Sequence, residues 1–171
     1  SEFSTLLNAT ARYDRADVGL AVCLGDRTGA LETARQLLRT HRRNLSEGLT
    51  WVKDNGVTDA GNLQWFDAGE EIRATIVGIV AGMSMGVDGV DRSKPVIAFA
   101  RESETETKVS SRGTSALVRQ GLDLSVVMGE AGEAVGGGGG GHDVAAGATI
   151  PAGEEERFIE HADEIVGDQL G

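Results

Sequence analysis

Six consecutive glycines, Gly136 through Gly141, run directly into His142, and the small-residue patch Asp143-Val144-Ala145-Ala146-Gly147 follows. Glycine enters backbone conformations closed to other residues and lets the chain come close to another group. Successive N–H groups in such a segment can line an anion-binding concavity. A glycine tract that ends in one titratable side chain therefore reads as a ligand cradle with a single specific contact. The alternative is a flexible linker, the common use of glycine tracts; organised sequence on both sides favours the cradle. His142 itself has two plainer readings, as a cap for the following segment or as a partner of a loop carbonyl. A metal-ligand role is weak, since only His41 and His161 could join it and neither has ligand spacing.

A second constellation is Lys108-Val109-Ser110-Ser111-Arg112. On a strand, residues two apart share a face, so Lys108, Ser110 and Arg112 point the same way. Two cations flanking a hydroxyl suit a terminal phosphate, which arginine can grip bidentately and lysine can meet as a point charge. The competing reading is a solvated hairpin face with Lys108 and Arg112 paired to Glu102 or Glu104.

Stepping along the chain gives the elements that must hold these groups. Residues 2–13 read as a short helix, and 30–53 carry the strongest helical pattern, with Leu31, Ala34, Leu38, Leu45, Leu49 and Val52 on one stripe. Asn55-Gly56 stops that helix, which reads as a connector between domains. Residues 62–66 read as a strand, 72–85 as a buried helix, and 95–100 with 107–112 as two strands around a polar turn. Residues 114–120 and 124–135 read as helices, the glycine tract as a loop, 148–150 as a strand, and 153–159 as the acidic opening of a last helix. The expected fold is α/β: a mixed β-sheet flanked by helices, preceded by a long connector helix. The expected division is 1–57 for the connector region and 58–171 for the α/β domain.

The chain has 171 residues, 40% hydrophobic but only 4% aromatic, so its core is built from Val, Ile, Leu and Ala. The formal charge is −11, and the only lysines are Lys53, Lys94 and Lys108, so nearly all the basic charge is arginine. Acidic excess with scarce lysine matches a halophile's cytosolic protein, with an acidic mesophilic domain as the alternative. It argues against diffuse nucleic-acid binding but leaves room for a local basic cluster. The lone Cys23 excludes an intramolecular disulfide and a cysteine-based zinc site, and within its apolar run it is expected to be a buried thiol. The start of the chain carries no basic leader region and no stretch is long enough to span a bilayer, which reads as a cytoplasmic protein without a membrane partner.

Taken together, Lys108-Val109-Ser110-Ser111-Arg112 and Gly139-Gly140-Gly141-His142-Asp143-Val144-Ala145-Ala146-Gly147 resemble the C-terminal DHH-associated domain of the DHH phosphoesterase family, in particular its archaeal and haloarchaeal RecJ-like single-strand exonucleases. Thr75 through Met83 and Leu7-Asn8-Ala9-Thr10-Ala11-Arg12 extend the resemblance over most of the chain, although Ala11 stands where relatives often have glycine. The resemblance implies that Lys108, Ser110 and Arg112 anchor a substrate phosphate. It further implies that the Gly139, Gly140 and Gly141 backbone and His142 meet the nucleotide, with Asn8 and Arg12 contributing from the connector. The implied parent enzyme holds two Mn²⁺ or Mg²⁺ ions in an N-terminal DHH domain and hydrolyses phosphodiesters by two-metal displacement. This chain has no Asp-His-His triplet, so the expectation is a C-terminal, substrate-binding portion that requires that domain and is inactive by itself. Expected partners are single-stranded DNA or RNA and the chain's own DHH domain. An alternative is a protein-interaction module for replication proteins of the GINS type. The C-terminal domain of alanyl-tRNA synthetase shares a similar glycine-rich loop, but there Arg-Pro usually follows the glycines, where this chain has His142-Asp143.

Overall fold

The computed structural model describes residues 2–171, which divide into two compact units, the first ending at Glu47 and the second spanning Gly48–Gly171. The first is helical. It contains α1 (Glu2–Arg12), α2 (Ala16–Cys23) and most of α3 (Gly29–Asn55). Leu6, Ala9, Val18, Val22, Ala34 and Leu38 form its core. The apolar run at 18–24 thus builds a helix of its own, and Val18 and Val22, one turn apart, take its buried side. Cys23 is exposed, contrary to the expected buried thiol: it is the last residue of α2, beyond the turn whose Val18, Gly19 and Val22 are buried.

The second unit is a mixed α/β layer, as the sequence predicts. Its strands are β1 (Thr58–Asp59), β2 (Gln64–Asp67), β3 (Val96–Arg101), β4 (Glu106–Arg112), β5 (Gly138–Gly141) and β6 (Ala145–Pro151). They form one sheet in the order β1-β2-β3-β4-β6-β5, in which only β2 and β3 run parallel. The helices are α4 (Val77–Ser84), α5 (Ser115–Arg119), α6 (Leu124–Ala134) and α7 (Glu155–Leu170).

One sheet face carries the main core. Ile97, Phe99, Val109, Ala146, Ala148 and Ile150 pack there against Leu117, Leu124, Val127, Met128, Phe158 and Ala162 of α5, α6 and α7. Phe99 meets both Trp65 and Phe158 edge-on, each with ring centres 5.9 Å apart. Side chains lock the layers together. The Thr107 hydroxyl donates to Glu155 Oε1 at 2.6 Å, and the Asp163 carboxylate accepts from the backbone N–H of Asn62 at 2.7 Å and of Leu63 at 3.3 Å.

The helix predicted over 72–85 begins later, at Val77. Residues 73–76 instead form a turn, closed by the Ile76 and Val77 N–H groups on the Arg73 carbonyl. A larger correction concerns the glycine tract. Gly138–Gly141 is not a loop but the edge strand of the sheet, paired residue by residue with β6. The backbone of β6 supplies the hydrogen bonds that an isolated glycine run would have to find in water.

Candidate functional site

The cross-strand register arranges the predicted residues in rows. Lys108 lies opposite Thr149, which lies opposite Gly138; Ser110 opposite Gly147, opposite Gly140; Arg112 opposite Ala145. The last row continues to His142, whose N–H donates to the Ala145 carbonyl at 2.9 Å and whose carbonyl accepts the Ala145 N–H at 3.3 Å. His142 therefore stands, exposed, at the closed end of the β5–β6 hairpin. Opposed residues of a sheet share a face, so the three rows form one surface across β4, β6 and β5.

This surface lies on the side away from the main core. Its β4 end is covered by α4, while its β5 end is bare. A methyl group built on Gly138 or Gly140 would meet nothing within 4 Å. The Lys108 ammonium leans over β6, 3.7 Å from where a Gly147 side chain would begin. The result is a floor of peptide backbone at Gly138, Gly140 and Gly147, bordered by Lys108. None of the ion pairs among the described residues involves Lys108, so for Lys108 the competing reading, a pairing with Glu102 or Glu104, does not hold.

Gly139 and Gly141 do not join this floor. A Cβ at Gly139 would lie 2.6 Å from the Met128 carbonyl of α6 and 2.7 Å from the Gly147 carbonyl, so the position exists for close packing on the opposite face. Gly141 has a φ of 146°, in the left-handed region that favours glycine. The tract thus alternates between two tasks with the period of a strand, a division that a run of identical residues does not display in the sequence. Gly138, Gly147 and Thr149 were missed as floor residues for the same reason.

Ser110 is buried beneath α4, with 5% of its surface exposed, while Arg112 is half-buried. Arg112 Nη1 donates to the Ser111 carbonyl at 2.7 Å. Ser111, on the opposite face, donates its hydroxyl to the Ala146 carbonyl at 2.9 Å and pins β4 to β6. Asn8 and Arg12 stand one turn apart on α1, in the first unit. No three or more His, Cys, Asp or Glu side chains among the described residues come together in a way that could hold a metal ion. The resemblance assigns its metal pair to a separate DHH domain and asks no metal ligand of these residues.

Residues 61–168 match the family model of the DHHA1 domain, a stretch that contains the whole sheet from β2 onward and all three rows. The chain belongs to the DHHA1 domain family. DHHA1 domains occur in DHH-family phosphoesterases, which is the coarse setting the sequence motifs indicated. Over 167 residues this DHHA1 chain is 37% identical to an uncharacterized protein of Methanocaldococcus jannaschii, an alignment covering 98% of this chain and 35% of the relative. The chain thus spans about a third of that relative's length.

The fold is similar to that of RecJ from Thermus thermophilus, solved in complex with Mn²⁺. The TM-score is 0.75 at 17% identity, over 96% of this chain and 23% of RecJ. It is also similar to the C-Ala domain of alanyl-tRNA synthetase from Aquifex aeolicus. There the TM-score is 0.51 at 17% identity, over 68% of this chain and 99% of that domain.

Proposed function

We propose that the surface across β4, β6 and β5 holds the phosphate and nucleotide of a single-stranded nucleic acid for a RecJ-like DHH phosphoesterase. The observation that carries this reading is the meeting of Lys108 and Arg112 on one sheet face with the backbone floor of Gly138, Gly140 and Gly147, open at Gly138 and Gly140. Lys108 and Arg112 supply local positive charge in a chain whose net charge is −11. Arginine offers a planar fork for phosphate oxygens, and lysine a mobile point charge. The floor lets a nucleotide approach the peptide plane where a side chain would hold it away. His142, at the end of the hairpin, adds one donor or acceptor beside the Arg112 row.

Hydrolysis by two metal ions would require a catalytic domain carrying Mn²⁺ or Mg²⁺, and this chain's part is to bind and orient. Titrating a labelled, 5′-phosphorylated hexanucleotide in concentrated potassium chloride tests the reading. A charge-assisted phosphate contact is worth about 1.5–3 kcal/mol, so Arg112→Ala is expected to weaken binding about ten- to a hundredfold. Equal affinity of wild type and Arg112→Ala would remove the phosphate assignment.

A further inference from the structure

Gly78 and Gly82 lie one turn apart in the short helix α4, where each costs helix stability relative to alanine. The space each leaves is different. A Cβ at Gly78 would fall 2.6 Å from Arg112 Nη2, 3.3 Å from Arg112 Cζ and 3.1 Å from Ser110 Oγ. A Cβ at Gly82 would make only ordinary van der Waals contacts with Arg112, 3.9 Å from Cγ and Cδ and 4.0 Å from Nε. The guanidinium therefore occupies the volume that a side chain at position 78 would fill.

We infer that Gly78 is a positioning residue for Arg112, setting where the guanidinium fork stands over the β4–β6 surface. The inference rests on the phosphate-binding reading given above. Its physical basis is the order in which parts of the structure can yield. Any residue larger than glycine must displace something, and the far end of the arginine is the softest neighbour. The backbone around Gly78 is held by the α4 hydrogen bonds, whereas the guanidinium ends a chain of several single bonds and can shift while its Nη1 stays on the Ser111 carbonyl. Alanine at 78 therefore favours the helix while moving the charged fork. A purely structural glycine gives the reverse pattern, a loss of stability with binding falling only in parallel.

The test compares Gly78→Ala, Gly82→Ala and Arg112→Ala in the full chain by three readouts: thermal midpoint, the Arg112 Nε–H resonance, and affinity for the phosphorylated hexanucleotide. For Gly78→Ala the midpoint is expected to hold or rise, the Nε–H resonance to shift, and affinity to drop about tenfold. Gly82→Ala is expected to keep the affinity of wild type. An unmoved Nε–H resonance in Gly78→Ala overturns the inference, and so does wild-type affinity in that variant when Arg112→Ala has lost binding; the phosphate reading survives both. A midpoint that falls in proportion to the lost affinity also overturns it, by showing a structural role. Undiminished affinity in Arg112→Ala overturns the phosphate reading instead, and any binding role of Gly78 with it.

Discussion

One methyl group distinguishes the two tasks of the glycine strand. At Gly139 it would press into the carbonyl oxygens of Met128 and Gly147, so Gly139→Ala is expected to destabilise the fold by on the order of 1–3 kcal/mol, read as a lowered denaturation midpoint. At Gly140 it would enter open space. Gly140→Ala is expected to leave the midpoint nearly unchanged and to weaken oligonucleotide binding; full affinity in that variant would show that the ligand does not use the floor. His41 makes a prediction of another kind. It is buried in the first unit with Nδ1 unpartnered, edge-on to Tyr13 at 5.7 Å. Burial, and secondarily the charge of Arg12, hold its imidazole below the ordinary value. The folded state thus resists taking up the proton that an unfolded chain binds near about pH 6.5. Stability is fully present above that pH and declines as the pH falls from there toward the depressed folded value. His41→Phe is expected to flatten this decline between roughly pH 7 and 5 in denaturant titrations; an unchanged slope would assign it to other groups. At this scale, the strand period made Lys108, Ser110 and Arg112 legible. The division of Gly138–Gly141 was hidden, because identical residues carry no pattern of apolar and polar positions.

Among the elements, the joint between α7 and the start of β2 depends on one carboxylate. Asp163 accepts from two backbone N–H groups and from Asn62 Nδ2 at 3.2 Å. Asp163→Ala is expected to cost about 1–2 kcal/mol, and Asp163→Asn to recover part of it; a neutral alanine variant would mean that water replaces these bonds without loss. Most elements could be found in the sequence because their apolar periods are strong. The long helix, the 107–112 strand and the helix over 124–135 stand close to their predicted limits. Two failures have physical causes. α2 lacked a polar face to mark its period, since Leu20 and Leu24 are apolar yet exposed. β5 lacked side chains altogether, so its strand character arises from its partner β6 and from α6 rather than from its own residues. Gly132 of α6 shows how near that support comes, with a would-be Cβ 3.1 Å from the Gly138 carbonyl carbon.

For the molecule as a whole, charge is the dominant property. A net charge of −11 on 171 residues implies self-repulsion that salt will screen. Raising potassium chloride from about 0.1 M, where the screening length is about 10 Å, to 1 M, where it is about 3 Å, is expected to raise the thermal midpoint. A midpoint that is flat or falling across that range would show that favourable ion pairs, such as Lys94 with Asp59 at 2.9 Å, outweigh the repulsion. No helix of the described residues is long and apolar enough to cross a membrane. The edge strand also has a consequence for the order of events in folding. Glycine loses more conformational freedom on folding than any other residue, and four in a row gain no side-chain burial to offset that loss. β5 can hold its place only after β6 and α6 are in theirs, which makes it the last strand of the sheet to settle and the first to fray. The floor is thus completed at the end of folding, and a partly unfolded chain presents no finished surface to an oligonucleotide.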